Sequence, residues 1–111
     1  MRSGRLPVRL RRPVHPAIMF VGTARADLHI PGASSLKAKR SVVQGLKQRI
    51  TNRFSVSVAE LDHQDLWQRA TLGVAVISAE VSVVEHVLAE IRRLVEAEPR
   101  AVLLAFETDI R

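Results

Sequence analysis

An α+β fold, one four-stranded antiparallel sheet with two helices on one face, is what the sequence predicts, and three observations predict it. Four stretches alternate apolar and polar residues with period two, as half-buried strands do. Two others carry apolar residues that recur at about 100° per residue, the mark of an amphipathic helix. Their order is β-α-β-β-α-β, which sequential pairing and right-handed crossovers fold most simply into the ferredoxin-like split βαβ arrangement.

The first strand begins at about Ile18. Phe20, Gly22, Ala24, Ala26, Leu28 and Ile30 fall on one face and Val21, Thr23, Arg25, Asp27 and His29 on the other, until Pro31-Gly32 ends the run. Ser34 or Ser35 is placed to cap the helix that follows. In it Leu36, Val43, Leu46 and Ile50 share one side, with Val42 and Arg53 at its edge, while Lys37, Arg40, Gln44 and Lys47 cluster opposite; it runs to about Asn52. Phe54, Val56 and Val58 alternate with Ser55, Ser57 and Ala59 as a second strand, and Glu60 to Asp65 reads as a short acidic connection. Ala70, Leu72, Val74 and Val76 alternate with Arg69, Thr71, Gly73 and Ala75 as a third strand, making residues 54–77 a hairpin. From about Val81 to Ala97 the stripe Val84, Val87, Leu88, Ile91, Leu94, Val95 predicts the second helix, with Pro99 just past its end. Val102, Leu104 and Phe106, alternating with Leu103, Ala105, Glu107 and Asp109, close the sheet.

The chain has 111 residues, 47% hydrophobic and 25% charged, which suits one soluble globular domain and is too apolar for a disordered chain. No apolar run approaches the ~18–20 residues of a membrane-spanning helix. There is no cysteine, which excludes a disulfide framework, a thiolate metal site and a cysteine nucleophile, and fits a reducing, cytoplasmic setting. The net charge of +6 is unevenly placed: residues 1–16 hold Arg2, Arg5, Arg9, Arg11 and Arg12 with no acid, leaving twelve basic and eleven acidic residues in the remainder. With Pro7, Pro13 and Pro16 and no apolar periodicity, residues 1–18 are expected to be a disordered basic leader ahead of a domain spanning 19–111. Three readings of the leader stay open: a basic arm for nucleic acid, a transit-like peptide, or a start assigned too far upstream, with Met19 the natural first residue.

Four stretches resemble one family: Asp27-Leu28-His29-Ile30-Pro31-Gly32, Ser35-Leu36-Lys37-Ala38-Lys39-Arg40, Ser55-Val56-Ser57-Val58-Ala59-Glu60, and Asp65-Leu66-Trp67-Gln68-Arg69-Ala70-Thr71-Leu72-Gly73. Together they look like the small bacterial YlxP-like proteins, also called DUF503, over residues 19 to about 109. The last stretch is the most specific. The resemblance implies a ferredoxin-like fold and no particular chemistry. Genes of the family often sit among those for transcription termination, translation initiation and ribosome maturation, which points to RNA or the ribosome. The arginine-rich leader departs from the family, whose members usually start at the first strand.

The first helix carries the leading candidate site. Lys37, Lys39 and Arg40 lie in its first two turns, where the macrodipole is already positive and each cation costs roughly 0.3–1 kcal/mol unless compensated. A phosphate backbone would turn that cost into a gain, and Lys47, Arg49 and Arg53 could extend the track. The competing reading is neutralisation by Glu60, Asp62 and Asp65 folding back. Trp67, the only tryptophan, is a stacking plane or the packing anchor of a loop or dimer contact; with all three phenylalanines on core-facing positions, an RRM-style aromatic platform is absent. The open face mixes Arg25 and Arg69 with Asp27, Glu107 and Asp109, which suits a solvated or self-associating surface.

Enzyme readings find little support. His29, His63, Asp27, Asp62 and Asp65 match no metal-ligand spacing, Ser34, Ser35 and Ser41 have no nearby His and acid, and the glycines form no phosphate loop, so no catalytic, metal or cofactor site is expected. The sequence thus predicts a non-catalytic cytoplasmic domain associated with RNA or the ribosome. In it Lys37, Lys39, Arg40 and Lys47 contact phosphates, Arg69 supports them, and Trp67 stacks or packs. The alternative is a homodimeric interaction module that uses the open sheet face and no nucleic acid.

Overall fold

The computed structural model describes residues 18–111, so the predicted leader lies outside the described residues except for Ile18. Six elements follow in the predicted order: β1 (Phe20–His29), α1 (Leu36–Arg53), β2 (Ser57–Asp62), β3 (Arg69–Ser78), α2 (Val81–Glu96) and β4 (Val102–Ile110). The strands lie in the order β2-β3-β1-β4, each antiparallel to its neighbours. This is the ferredoxin-like α+β arrangement, with β3 inserted between the two strands that α1 connects. Among the described residues, no helix is long and apolar enough to cross a membrane.

Local chemistry explains the helices. Ser35 adopts an extended backbone and its hydroxyl accepts the Ala38 N–H at 3.0 Å, which satisfies one of the unpaired donors of the first turn of α1. From there α1 buries Val42, Val43, Leu46 and Ile50, and α2 buries Val84, Leu88, Ile91 and Val95. Both stripes cover Ala24, Ala26, Leu28, Ala70, Leu72, Val74 and Val76 of the central strands. The small residues of β1 let α2 approach closely: a Cβ on Gly22 would overlap the Val84 side chain. Phe20, Phe54 and Phe106 pack at the margin of this core, as their alternation predicts.

Two strands depart from the expected pattern. β2 starts at Ser57, because the Phe54 N–H still bonds the Ile50 carbonyl at 2.9 Å and closes α1. It then runs through Glu60, Leu61 and Asp62, expected to be connection: Glu60 pairs with Leu72 and Asp62 with Thr71, and Leu61 is the bulged residue between them. In β4 a second irregularity sets Leu103 opposite Leu28 and Ala105 opposite Asp27. Leu103 therefore packs on the core, while Val102 and Leu104 are turned outward and half exposed, the reverse of simple alternation.

The turn between α2 and β4 is built on a buried acid. The Glu98 carboxylate accepts from the Arg100 backbone N–H and Nε, both at 2.9 Å, and from Arg49 Nη2 of α1 at 2.6 Å. The Arg100 side chain foremost, then its backbone N–H and Arg49, holds the carboxyl at about 2, against the burial that would raise it. The same contact raises the Arg100 guanidinium.

Candidate functional site

Of the predicted phosphate-binding residues, Lys39 has to be reassigned. It is 1% exposed, and its Nζ donates to Glu60 Oε2 at 3.2 Å and to the carbonyls of His63, Gln64 and Arg69 at 2.7, 3.1 and 3.3 Å. Its position follows from spacing: Lys39 stands three, four, seven and eleven residues before Val42, Val43, Leu46 and Ile50, in the middle of the buried stripe. Three N–H donors are shared among four acceptors, so the cation is consumed internally and offers nothing to a surface ligand. It staples the β2–β3 loop, in which His63 takes a left-handed backbone at φ 61°, onto the first turns of α1.

Lys37, Arg40 and Lys47 behave otherwise. They follow one another on the outer side of α1, three and seven residues apart, about 5 and 10 Å along its axis. Twelve lysines and arginines fall within the described residues, and eight of them pair with a carboxylate. The four left without an acidic partner are Lys37, Arg40, Lys47 and Arg69. The acids expected to fold back do not reach the outer stripe: Glu60 is taken by Lys39, Asp62 lies 3.9 Å from Arg25, and Asp65 makes no ion pair. No acid occupies the first turn of α1, so its dipole adds to the positive field.

Trp67 and Arg69 are placed apart from this stripe. Trp67 is 53% exposed on the β2–β3 loop and does not anchor it. That task falls to Lys39 and to Gln68, whose Nε2 donates to the carbonyls of Pro31 and Ala33 and whose own carbonyl accepts from the Ile30 N–H. These bonds seat the loop beside the segment leading into α1. Arg69 pairs in register with His29 and by alternation projects on the open face, across the sheet from α1. Its Nε is buried without a hydrogen-bond partner. One surface therefore gathers Lys37, Arg40 and Lys47, while Trp67 stands on the β2–β3 loop and Arg69 lies on the open sheet face.

Sequence reasoning missed the staple, although the helical spacing of Lys39 signals it, and it missed Arg49, Glu98 and Arg100 as a linked group. On the open face Thr71 donates to Asp27 at 2.7 Å, next to Arg25 and Asp62. Among the described residues, no group of three or more histidines and acids is arranged to hold a metal ion.

A family model described as protein of unknown function (DUF503) matches residues 21–108. The chain is 34% identical over 80 residues to the uncharacterized protein YlxP of Bacillus subtilis (strain 168), an alignment covering 72% of this chain and 87% of the relative. Among solved structures it is similar to the de novo designed protein Foldit4, with 14% identity and a TM-score of 0.47 over 84% of this chain and 93% of that one. It is also similar to a C-terminal segment of the alpha subunit of aIF2 from Pyrococcus abyssi, with 12% identity and a TM-score of 0.48 over 84% of this chain and 49% of that one.

Proposed function

This chain belongs to the DUF503 family, and from that premise we propose that it is a non-catalytic, cytoplasmic, ribosome-associated domain whose first helix binds the phosphate backbone of RNA. The observation that carries this reading is the unequal distribution of ion pairs. Eight cations are neutralised by nearby carboxylates, and three of the four that are not form one stripe on α1. Unpaired cations over a helix whose N-terminal end is positive stabilise a chain of phosphates and gain nothing from each other. Trp67, half exposed on the β2–β3 loop, offers a plane for one unstacked base. The absence of cysteine from all 111 residues supports the reducing compartment.

Salt dependence tests it. Three phosphate contacts predict that log K for ribosomal RNA falls with log salt at a slope of about −2, a loss of roughly fifteenfold over a fourfold rise in salt. Lys37→Ala, Arg40→Ala and Lys47→Ala should each reduce the slope by about 0.7, and Lys39 should not figure in it. The leader arginines are a separate source of attraction, so the measurement is repeated on a chain beginning at Met19. Complete loss of binding there, or slopes unmoved by the three substitutions, refutes the reading.

A further inference from the structure

The sheet face turned away from the helices carries a groove that phosphate binding leaves unused. In register across the sheet, Ser57, Ala75, Thr23 and Asp109 form one row and Ala59, Gly73, Arg25 and Glu107 the next. Five of these eight residues are no larger than threonine and are contiguous over β2, β3 and β1, so the surface sinks into a groove of about 510 Å³. The bulge in β2 lays Leu61 over Gly73, with Cδ1 only 2.6 Å from where a Cβ on Gly73 would lie. Leu61 is nonetheless 50% exposed, and Ile77, farther along β3, is 58% exposed.

One face therefore holds both a floor of small side chains and the large aliphatic side chains that would fill it. Sheets pack about 10 Å apart, a gap that alanine and glycine cannot close and leucine can. A surface carrying both halves of such a fit is self-complementary, as an isologous interface requires. Its charges agree: Arg25 and Glu107 are cross-strand neighbours in the second row, and Asp109 flanks them in the first. A polyanion would meet Asp27, Asp62, Glu107 and Asp109 against only Arg25 and Arg69. Strands about 4.8 Å apart, at about 3.3 Å per residue over the 10, 6, 10 and 9 residues of β1 to β4, present about 550 Å² per copy. A pair of copies would bury about 1,100 Å², just above the roughly 1,000 Å² that a specific interface needs and in the range of weak, concentration-dependent association.

We propose that this face binds a second copy of the chain, with the exposed sides of Leu61 and Ile77 of each copy packed against the small residues Ser57, Ala75 and Thr23 of the other. The test is sedimentation of the full chain from micromolar to near-millimolar concentration. The parent protein should self-associate as a dimer. Ala75→Arg puts a bulky charge on the floor at an exposed position, and Ile77→Asp does so at the rim; each should weaken the dimer at least about tenfold, with circular dichroism and melting temperature unchanged at dilutions where the parent is monomeric. A dimer that survives both substitutions overturns the assigned face. Monomers at every concentration overturn the proposal, whether or not RNA or a peptide of residues 1–17 perturbs the Ala59 and Ala75 amides instead.

Discussion

Replacing Lys39 with methionine keeps the side chain's length and removes its charge, and the cost follows from what its Nζ holds. Glu60 loses a partner at 3.2 Å, and the carbonyls of His63, Gln64 and Arg69 lose donors at 2.7, 3.1 and 3.3 Å. Breaking a buried ion pair costs about 3–5 kcal/mol. The Glu60 side chain is 19% exposed and recovers part of its hydration, which places the expected cost at the lower end of that range. The three carbonyls can rehydrate if the loop opens, which limits their share to about 1 kcal/mol. A total of about 3–4 kcal/mol lowers the melting temperature of a domain this size by at least about 12 °C. Thermal and urea unfolding followed by circular dichroism measures it, with Trp67 fluorescence reporting the loop. The double variant Lys39→Met/Glu60→Leu should recover at least about 1 kcal/mol, because the stranded carboxylate is gone. A single variant within about 1 kcal/mol of the parent would refute the reasoning, and so would one that binds RNA with a reduced salt slope while still folded.

Two further outcomes test other parts of the fold. The Glu98 carboxyl is held at about 2, below its ordinary 4.5, so its contribution is complete above pH 4.5 and disappears as pH falls toward 2. With Arg49 and Arg100 half exposed, the contribution is screened to about 1–2 kcal/mol; Glu98→Gln should lose most of it at pH 6 and show a flatter acid melting profile, and parallel profiles would refute the assignment. The bulge in β4 predicts that Leu104→Lys changes stability by less than about 0.5 kcal/mol while Leu103→Lys costs about 2 kcal/mol or more. Urea midpoints in the opposite order would restore simple alternation.

Periodicity made the fold legible because both helices and the two central strands each have one apolar face, and Val42 through Ile50 or Ala70 through Val76 can be satisfied in only one phase. It failed where the pattern does not choose a phase. Val102, Leu103 and Leu104 are all apolar, so either register of β4 reads equally well, and only pairing against Asp27 and Leu28 decides between them. At β2 the alternation of Phe54 and Val56 was genuine, but the Phe54 N–H was already committed to α1. The outer stripe Lys37, Arg40, Lys47 could be read from helix spacing alone. Its lack of acidic partners could not, since that depends on where Glu60 and Asp62 go in three dimensions. Lys39 was readable in principle: residue type suggested surface, spacing suggested core, and spacing prevailed because Glu60 and three carbonyls await it.

The staple has a further consequence for the order in which the chain folds. A hairpin such as β2–β3 ordinarily closes early, from contacts between near neighbours, on a timescale of about 1–10 μs. Here the loop joining its strands is completed by a side chain 21 to 30 residues upstream, on a different element. His63, Gln64 and Arg69 turn their carbonyls inward toward a donor that arrives only when α1 has formed and docked. The hairpin's strands can pair first, but its loop cannot take its final shape until then, which makes the ordering of the loop a late event. Trp67 lies within that loop, so its fluorescence is expected to follow helix docking, lagging the amide signal of β3 in a refolding experiment.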